Sequence, residues 1–218
     1  MENMNGKQEE YRKKSITQDT NVKHGNTGKY HNRPDDLQKY IKAQDMYFDG
    51  TGKTVYEKAL EEIKAGNKEE HWIWYIWPQI EGLGKSFYCE KYGVPGLEGA
   101  MAYLENRTLH DRLMEISSAL LELNTTDLLS VMWQVDCMKV RSSITLFYEA
   151  AIRMYGADSE EVKLFVNLRD KYFGRIGFCD RTLEILNDKQ EIRTDTIMDE
   201  GVEEYRYEIM VIDRDDYE

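Results

Sequence analysis

The stretch His71-Trp72-Ile73-Trp74-Tyr75-Ile76-Trp77-Pro78-Gln79 constrains this chain more than any other. It holds three of the four tryptophans of a 218-residue sequence that is otherwise acidic and polar. Each indole carries a large apolar area that is unfavourable to leave in water. The segment must therefore form the centre of the core, the wall of a binding site, or both. Its nearly continuous apolar run fits a buried strand or a short buried helix, and periodicity alone does not separate the two. Helical patterns on both sides favour a helix, broken at Pro78.

Those patterns recur along the chain. Pro34-Asp35-Asp36 is a helix-opening signature. Leu37, Tyr40, Ile41, Gln44 and Phe48 come next at three- and four-residue spacing, and Gly50 and Gly52 close the helix. Val55, Ala59, Leu60 and Ile63 predict a second helix, stopped by Gly66. After the tryptophan segment, short helices are expected over 86–92 and 97–104, and a longer one over 109–123. Thr126-Asp127 caps a further turn reaching Met132. The longest helix is expected over 136–155, with Val140, Ile144, Phe147, Ala151 and Met154 as its apolar stripe and Gly156 as its stop. Asp158-Ser159-Glu160-Glu161 opens the next helix, and residues 180–186 form a last short one. About nine or ten helical pieces without a convincing central strand predict an all-α multihelical array.

The ends read differently. Residues 1–33 hold almost no aliphatic side chains and cannot repay ordering entropy, so they read as a disordered polar arm ahead of a helical domain over 34–187. Residues 188–218 carry twelve Asp and Glu residues and read as an acidic tail. Tyr205 to Ile212 alternates in a β-prone manner, so a short hairpin with Ile192 to Met198 is the competing reading.

Charge and cysteines exclude whole classes. A formal net charge of -12 and a pI near 4.9 speak against gripping nucleic acid or an anionic membrane, because both need a basic face. No run approaches the roughly 20 apolar residues of a membrane span, and residues 1–33 lack the apolar core of a secretory signal. A cytoplasmic location is expected. Cys89, Cys137 and Cys179 are odd in number and widely spaced, which indicates neither a disulfide framework nor a zinc knuckle. The four histidines are scattered, so no metal is expected, and no cofactor motif appears. Gly84-Lys85-Ser86 ends like a phosphate-binding loop, but Gln79 stands where that loop needs its first glycine.

Two blocks carry a resemblance. Gly66-Asn67-Lys68-Glu69-Glu70 leading into the tryptophan segment, with Leu83-Gly84-Lys85-Ser86 and Ala102-Tyr103-Leu104, forms one. Lys139-Val140-Arg141-Ser142-Ser143-Ile144-Thr145-Leu146-Phe147 forms the other. Together they resemble the bacterial family called domain of unknown function eighteen-ten, over about residues 35–187. The resemblance implies an all-helical domain in an intracellular bacterial or phage-type setting, and it implies no particular activity. The chain departs from the family pattern at Trp77, where phenylalanine is usual, and at Val131-Met132-Trp133-Gln134, where a glycine-containing turn is usual.

Candidate site residues come from the same blocks. On a continuous helix His71, Tyr75 and Gln79 would share one face, at i, i+4 and i+8. With Trp74 beside them they would make an aromatic and polar wall, and His71 is the candidate general acid or base. The bland alternative is that these groups satisfy one another inside the core. Lys139, Ser142 and Ser143 share a face of the long helix, with Arg141 and Thr145 beside them. Such donors suit a phosphate or carboxylate, or else the cations are solvated and the serines merely allow close packing. The leading expectation is an anionic aromatic small molecule, nucleotide or nucleotide-sugar in type, bound between the two blocks. The alternatives are a noncatalytic module that captures a protein partner through the acidic tail, and an acidic mimic of DNA. The sequence does not decide whether the protein is an enzyme.

Overall fold

Gly66 and Gly156 follow helix ends as the sequence predicts, whereas the first helix stops at Asp45, short of Gly50 and Gly52. The computed structural model describes residues 37–48 and 50–194, with side chains through Asp188. The arm at 1–33, and the acidic tail and hairpin beyond 194, lie outside the described residues. Within them there are nine α-helices and no strand longer than an isolated bridge. Helix α1 spans Gln38–Asp45 and leads into a tight return in which the Val55 N–H donates to the Met46 carbonyl at 2.8 Å. Helix α2, Val55–Lys64, opens on a capping box: Thr54 Oγ1 accepts the Glu57 N–H, and the Glu57 carboxylate accepts the Thr54 N–H at 2.7 Å.

The tryptophan segment is less helical than its pattern predicts. Helix α3 covers only Ile73–Ile76, one turn. Past Pro78 the chain is extended: Ile80 bridges Val94 in parallel, with Gln79 accepting the Val94 N–H at 2.8 Å. The expected alignment of His71, Tyr75 and Gln79 on one helical face is therefore not formed. Proline has no N–H to donate to the ladder, and the apolar run is satisfied by burial without needing helical continuation. Trp72, Ile73, Ile76 and Trp77 are all buried, as a core segment must be.

The remaining helices are α4 (Phe87–Tyr92), α5 (Gly96–Glu105), α6 (Arg107–Glu122), α7 (Gln134–Tyr155), α8 (Glu160–Phe173) and α9 (Asp180–Thr194), with a 3-10 turn at Leu128–Ser130 capped by Asp127. Ser86, Asn106 and Ser159 each accept a backbone N–H at the start of α4, α6 and α8. Helix α9 runs past the expected end at Leu186, because no glycine or proline comes next to stop it.

Helix α7 is the axis of the domain. It packs against α3, α5, α8 and α9, and Val140, Ile144, Phe147 and Ala151 are fully buried along it. Phe147 sits between Tyr103 of α5 and Phe165 of α8, with ring centroids 4.9 and 6.5 Å away. Burying one such side chain contributes about 1.5–3 kcal/mol. Gly156, at φ 84°, ends α7 in a conformation that a residue with a Cβ rarely adopts.

Candidate functional site

The site is built outward from the end of α2. Gly66, at φ 66°, lets the chain reverse, and its N–H donates to the Ile63 carbonyl while the Asn67 N–H donates to the Glu62 carbonyl at 3.0 Å. This pairing is the Schellman arrangement that satisfies the last carbonyls of a helix. The Glu62 side chain then organises the turn over 67–72. Its Oε2 accepts the N–H groups of Glu69 at 3.0 Å and Glu70 at 3.1 Å, and the indole N–H of Trp72 at 2.8 Å. Lys58, 3.9 Å from Oε1, approaches as a counter-charge.

That turn aims Lys68 inward. Its backbone N–H donates to the Val131 carbonyl, and its ammonium donates to the Glu70 carbonyl at 2.7 Å and lies 4.7 Å from the Trp72 ring centroid. The same ammonium is 2.7 Å from Asp136 Oδ2, with side-chain exposures of 2% and 0%. This contact is a close ion pair without hydrogen-bond alignment. Asp136 belongs to the first turn of α7, where the helix dipole favours a carboxylate. One turn further, Lys139 donates to Asp136 Oδ1 at 3.0 Å and carries its ammonium 4.5 Å from the Trp74 ring centroid. Two buried lysines thus share one aspartate, and each lies against a tryptophan.

Trp74 is half-buried and stacks on Tyr88 of α4 with ring centroids 4.7 Å apart. Of the residues singled out from the sequence, Trp74 and Lys139 are therefore brought together. Tyr75 turns elsewhere: its ring meets Tyr92 edge-on at 5.1 Å, and its carbonyl accepts Gln44 Nε2 at 2.8 Å. Burial pushes the Tyr75 phenol well above the ordinary tyrosine range, so it remains protonated. His71 is half-buried just before Trp72, and Gln79 is half-buried in the extended segment beyond Pro78.

The α7 donors divide between two directions. Arg141 reaches the loop after α8, where it donates to the carbonyls of Gly177 at 3.0 Å, Phe178 at 2.7 Å and Ile176. Ser142 Oγ pairs with Thr182 Oγ1 of α9 at 2.8 Å. Thr145 donates to the Arg141 carbonyl at 2.7 Å and accepts the Cys179 N–H at 2.9 Å. These three groups hold the α8–α9 connection against α7. Ser143 is different: it is fully buried, and its Oγ has no hydrogen-bond partner among the described residues.

Sequence reasoning left Glu62 out and could not place Asp136. Both carry a signal that could have found them. Glu62 falls on the apolar face of α2 with Val55 and Ala59, and Asp136 begins the α7 stripe that continues through Val140, Ser143 and Phe147. A carboxylate on a buried stripe needs a partner.

What these elements define is an all-α domain in which the tryptophan block and the α7 block meet across a buried lysine–aspartate–lysine cluster flanked by tryptophans. The chain belongs to the family described as "Protein of unknown function (DUF1810)", whose model matches residues 34–186. Among solved structures it is similar to the conserved hypothetical protein Rv1873 from Mycobacterium tuberculosis. The two are 33% identical with a TM-score of 0.61, and the match covers 71% of this chain and 99% of that one. No curated protein matches the chain.

Proposed function

We propose that this domain binds an anionic, aromatic small molecule of the nucleotide or nucleotide-sugar class at the corner where Lys139 lies over Trp74. The observation that carries this reading is the pair of buried ammonium groups on one carboxylate. Asp136 is shared by both, so neither ammonium has a carboxylate to itself in a low-dielectric setting where incompletely paired charge is costly. Lys139 is the outer of the two, with a side-chain exposure of 10% against 2% for Lys68. A phosphate arriving there would complete the cluster with charge-assisted hydrogen bonds. The half-buried Trp74–Tyr88 pair beside it offers aromatic surface for a base. His71, three residues before Trp74, is the candidate proton donor or acceptor if a reaction accompanies binding. In this reading Arg141 and Ser142 hold α7 against α9 and do not touch the ligand, and Tyr75 and Gln79 shape the segment that presents Trp74.

The test is thermal unfolding of the full chain against a panel of nucleoside mono- and diphosphates, UDP-glucose and NAD. Wild type is compared with Lys139→Met and Trp74→Leu. A ligand at 100 times its dissociation constant stabilises the fold by about 2.7 kcal/mol. Stabilisation of wild type that is lost in both folded variants supports the site. A panel that shifts nothing overturns it and favours a protein-capturing module. Equal shifts in all three proteins also overturn it, because the ligand would then sit elsewhere.

A further inference from the structure

His110, in the first turn of α6, has a carboxylate at each ring nitrogen. Its Nδ1 lies 3.0 Å from Asp111 Oδ1, and its Nε2 lies 3.2 Å from Glu161 Oε1 in the first turn of α8. A neutral imidazole carries one N–H and one lone pair, so it can donate to one of these oxygens and not to both. The other contact would then set a lone pair against a carboxylate. The imidazolium donates at both nitrogens. Only the protonated ring satisfies the two contacts at once.

The surrounding charges favour the same form. On α6, Arg107 lies 3.5 Å from Asp111 Oδ2, but its side chain is 94% exposed and too well solvated to neutralise two carboxylates. From α7 the Tyr155 ring meets His110 edge-on at 6.3 Å. Burial, then Glu161 and Glu105 of α5, push that phenol above the ordinary tyrosine value, so it stays neutral. Asp111 is held below its usual 3.8, first of all by the hydrogen bond from His110. The contact across the helices is the more sheltered one. His110 and Glu161 are 23% and 19% exposed, so solvent and salt screen their interaction less than that of a surface pair.

We propose that His110 is a proton-operated clamp between α6 and α8: charged, it holds Asp111 and Glu161 together, and neutral, it can hold one of them. Helix α8 packs against both α6 and α7, and Glu161 is its second residue, so the clamp sets how firmly α8 begins. Folding then takes up a proton at this ring. The stability it adds is therefore complete below the ordinary histidine value of about 6.5 and is lost as pH rises above it. This direction is opposite to that expected of carboxylates held below their usual range.

The experiment is urea unfolding of the full chain at about pH 5.5 and about pH 8, on either side of that histidine value. Wild type is compared with Glu161→Gln, His110→Gln and the double variant. Glutamine at 161 keeps the shape of the contact and offers an amide N–H to the lone pair of a neutral ring. Glu161→Gln should therefore raise the unfolding constant at least about fivefold more at the lower pH than at the higher. In the His110→Gln background the same substitution should act equally at both pH values. The cycle cancels other titrating groups and the attraction of Glu161 to its own helix start. An effect of Glu161→Gln that does not change with pH while His110 is present would mark an ordinary structural contact and overturn the clamp. A pH difference that persists without His110 would assign the proton to another group and overturn it equally. Should His110→Gln fail to fold, Asp111→Asn probes the other ring nitrogen. It should destabilise more at the lower pH, and an equal effect at both would also overturn the proposal.

Discussion

Trp72 donates its indole N–H to Glu62 Oε2 at 2.8 Å, with both residues almost wholly buried. The same oxygen takes two backbone N–H groups of the turn that delivers Trp72. One carboxylate therefore fixes where the tryptophan segment enters the core. Replacing Glu62 by alanine leaves three donors without their acceptor, and each buried loss is worth about 1–3 kcal/mol. With water reaching part of the turn, Glu62→Ala should cost about 3 kcal/mol in urea unfolding, and Glu62→Gln about half as much. A loss below about 0.5 kcal/mol, the range of ordinary surface changes, would mean the turn holds itself.

The ion cluster predicts strong non-additivity. Asp136→Ala strands two buried ammonium groups and should destabilise by about 3–5 kcal/mol. Lys68→Met leaves the Lys139–Asp136 contact in place and should cost less. The double variant should recover part of the Asp136→Ala loss, with a coupling of about 1 kcal/mol or more, as contacting residues show. Chemical denaturation of the four proteins measures it. Additive losses would show that the two residues do not sense one another.

Arg141 separates structure from binding. Its guanidinium serves three successive carbonyls, at Ile176, Gly177 and Phe178. Arg141→Ala should lower stability by about 2 kcal/mol, since hydrogen bonds to charged groups contribute about 1.5–3 kcal/mol and this group is partly exposed. Arg141→Lys should rescue little, because an ammonium cannot reproduce the planar fork. Ligand affinity should be unchanged in either variant. A loss of affinity at constant stability would move Arg141 into the binding corner.

Acid should weaken the fold through surface carboxylates on α2 and α6. Hydrogen bonding from Thr54 holds Glu57 below its ordinary 4.5, Lys53 does the same for Glu61, and His110 holds Asp111 below 3.8. A carboxyl whose folded pKa is depressed adds stability that is complete above its unfolded value and is lost as pH falls through the folded one. The melting temperature should therefore be insensitive to these groups above about pH 5, then fall below the 4.5 of the glutamates. Glu57→Gln should flatten that acid limb, and so should high salt, since the groups are exposed. A limb unchanged in Glu57→Gln would assign the acid sensitivity elsewhere.

The helices were legible because their boundaries are written in local chemistry. Ser86 and Ser159 mark starts, and Gly66 and Gly156 mark ends, within the reach of a few residues, whereas the caps at Thr54 and Asn106 emerge only in the structure. The tryptophan segment was legible as core but not as shape. A run apolar on nearly every side has no period to read, and the balance between one turn and an extended exit depends on what packs around it. The partners of the α7 polar groups were legible only as a face. Whether a donor on that face meets a ligand, as proposed for Lys139, or meets the carbonyls of residues 176–178, as Arg141 does, depends on where a loop some 35 residues away returns. Sequence spacing within one helix carries no information about that return.

The pairing of Lys68 with Asp136 also says how the domain can be divided. A cut anywhere between them leaves Lys68 with an ammonium built for the interior and no carboxylate to meet it, while Asp136 keeps only Lys139. The piece that carries Lys68 cannot close its own core around such a group, so the turn at 66–72 orders together with the start of α7. The domain should accept a nick in that interval only if both halves remain together, and reassembly of the halves would be recognition by a single shared charge.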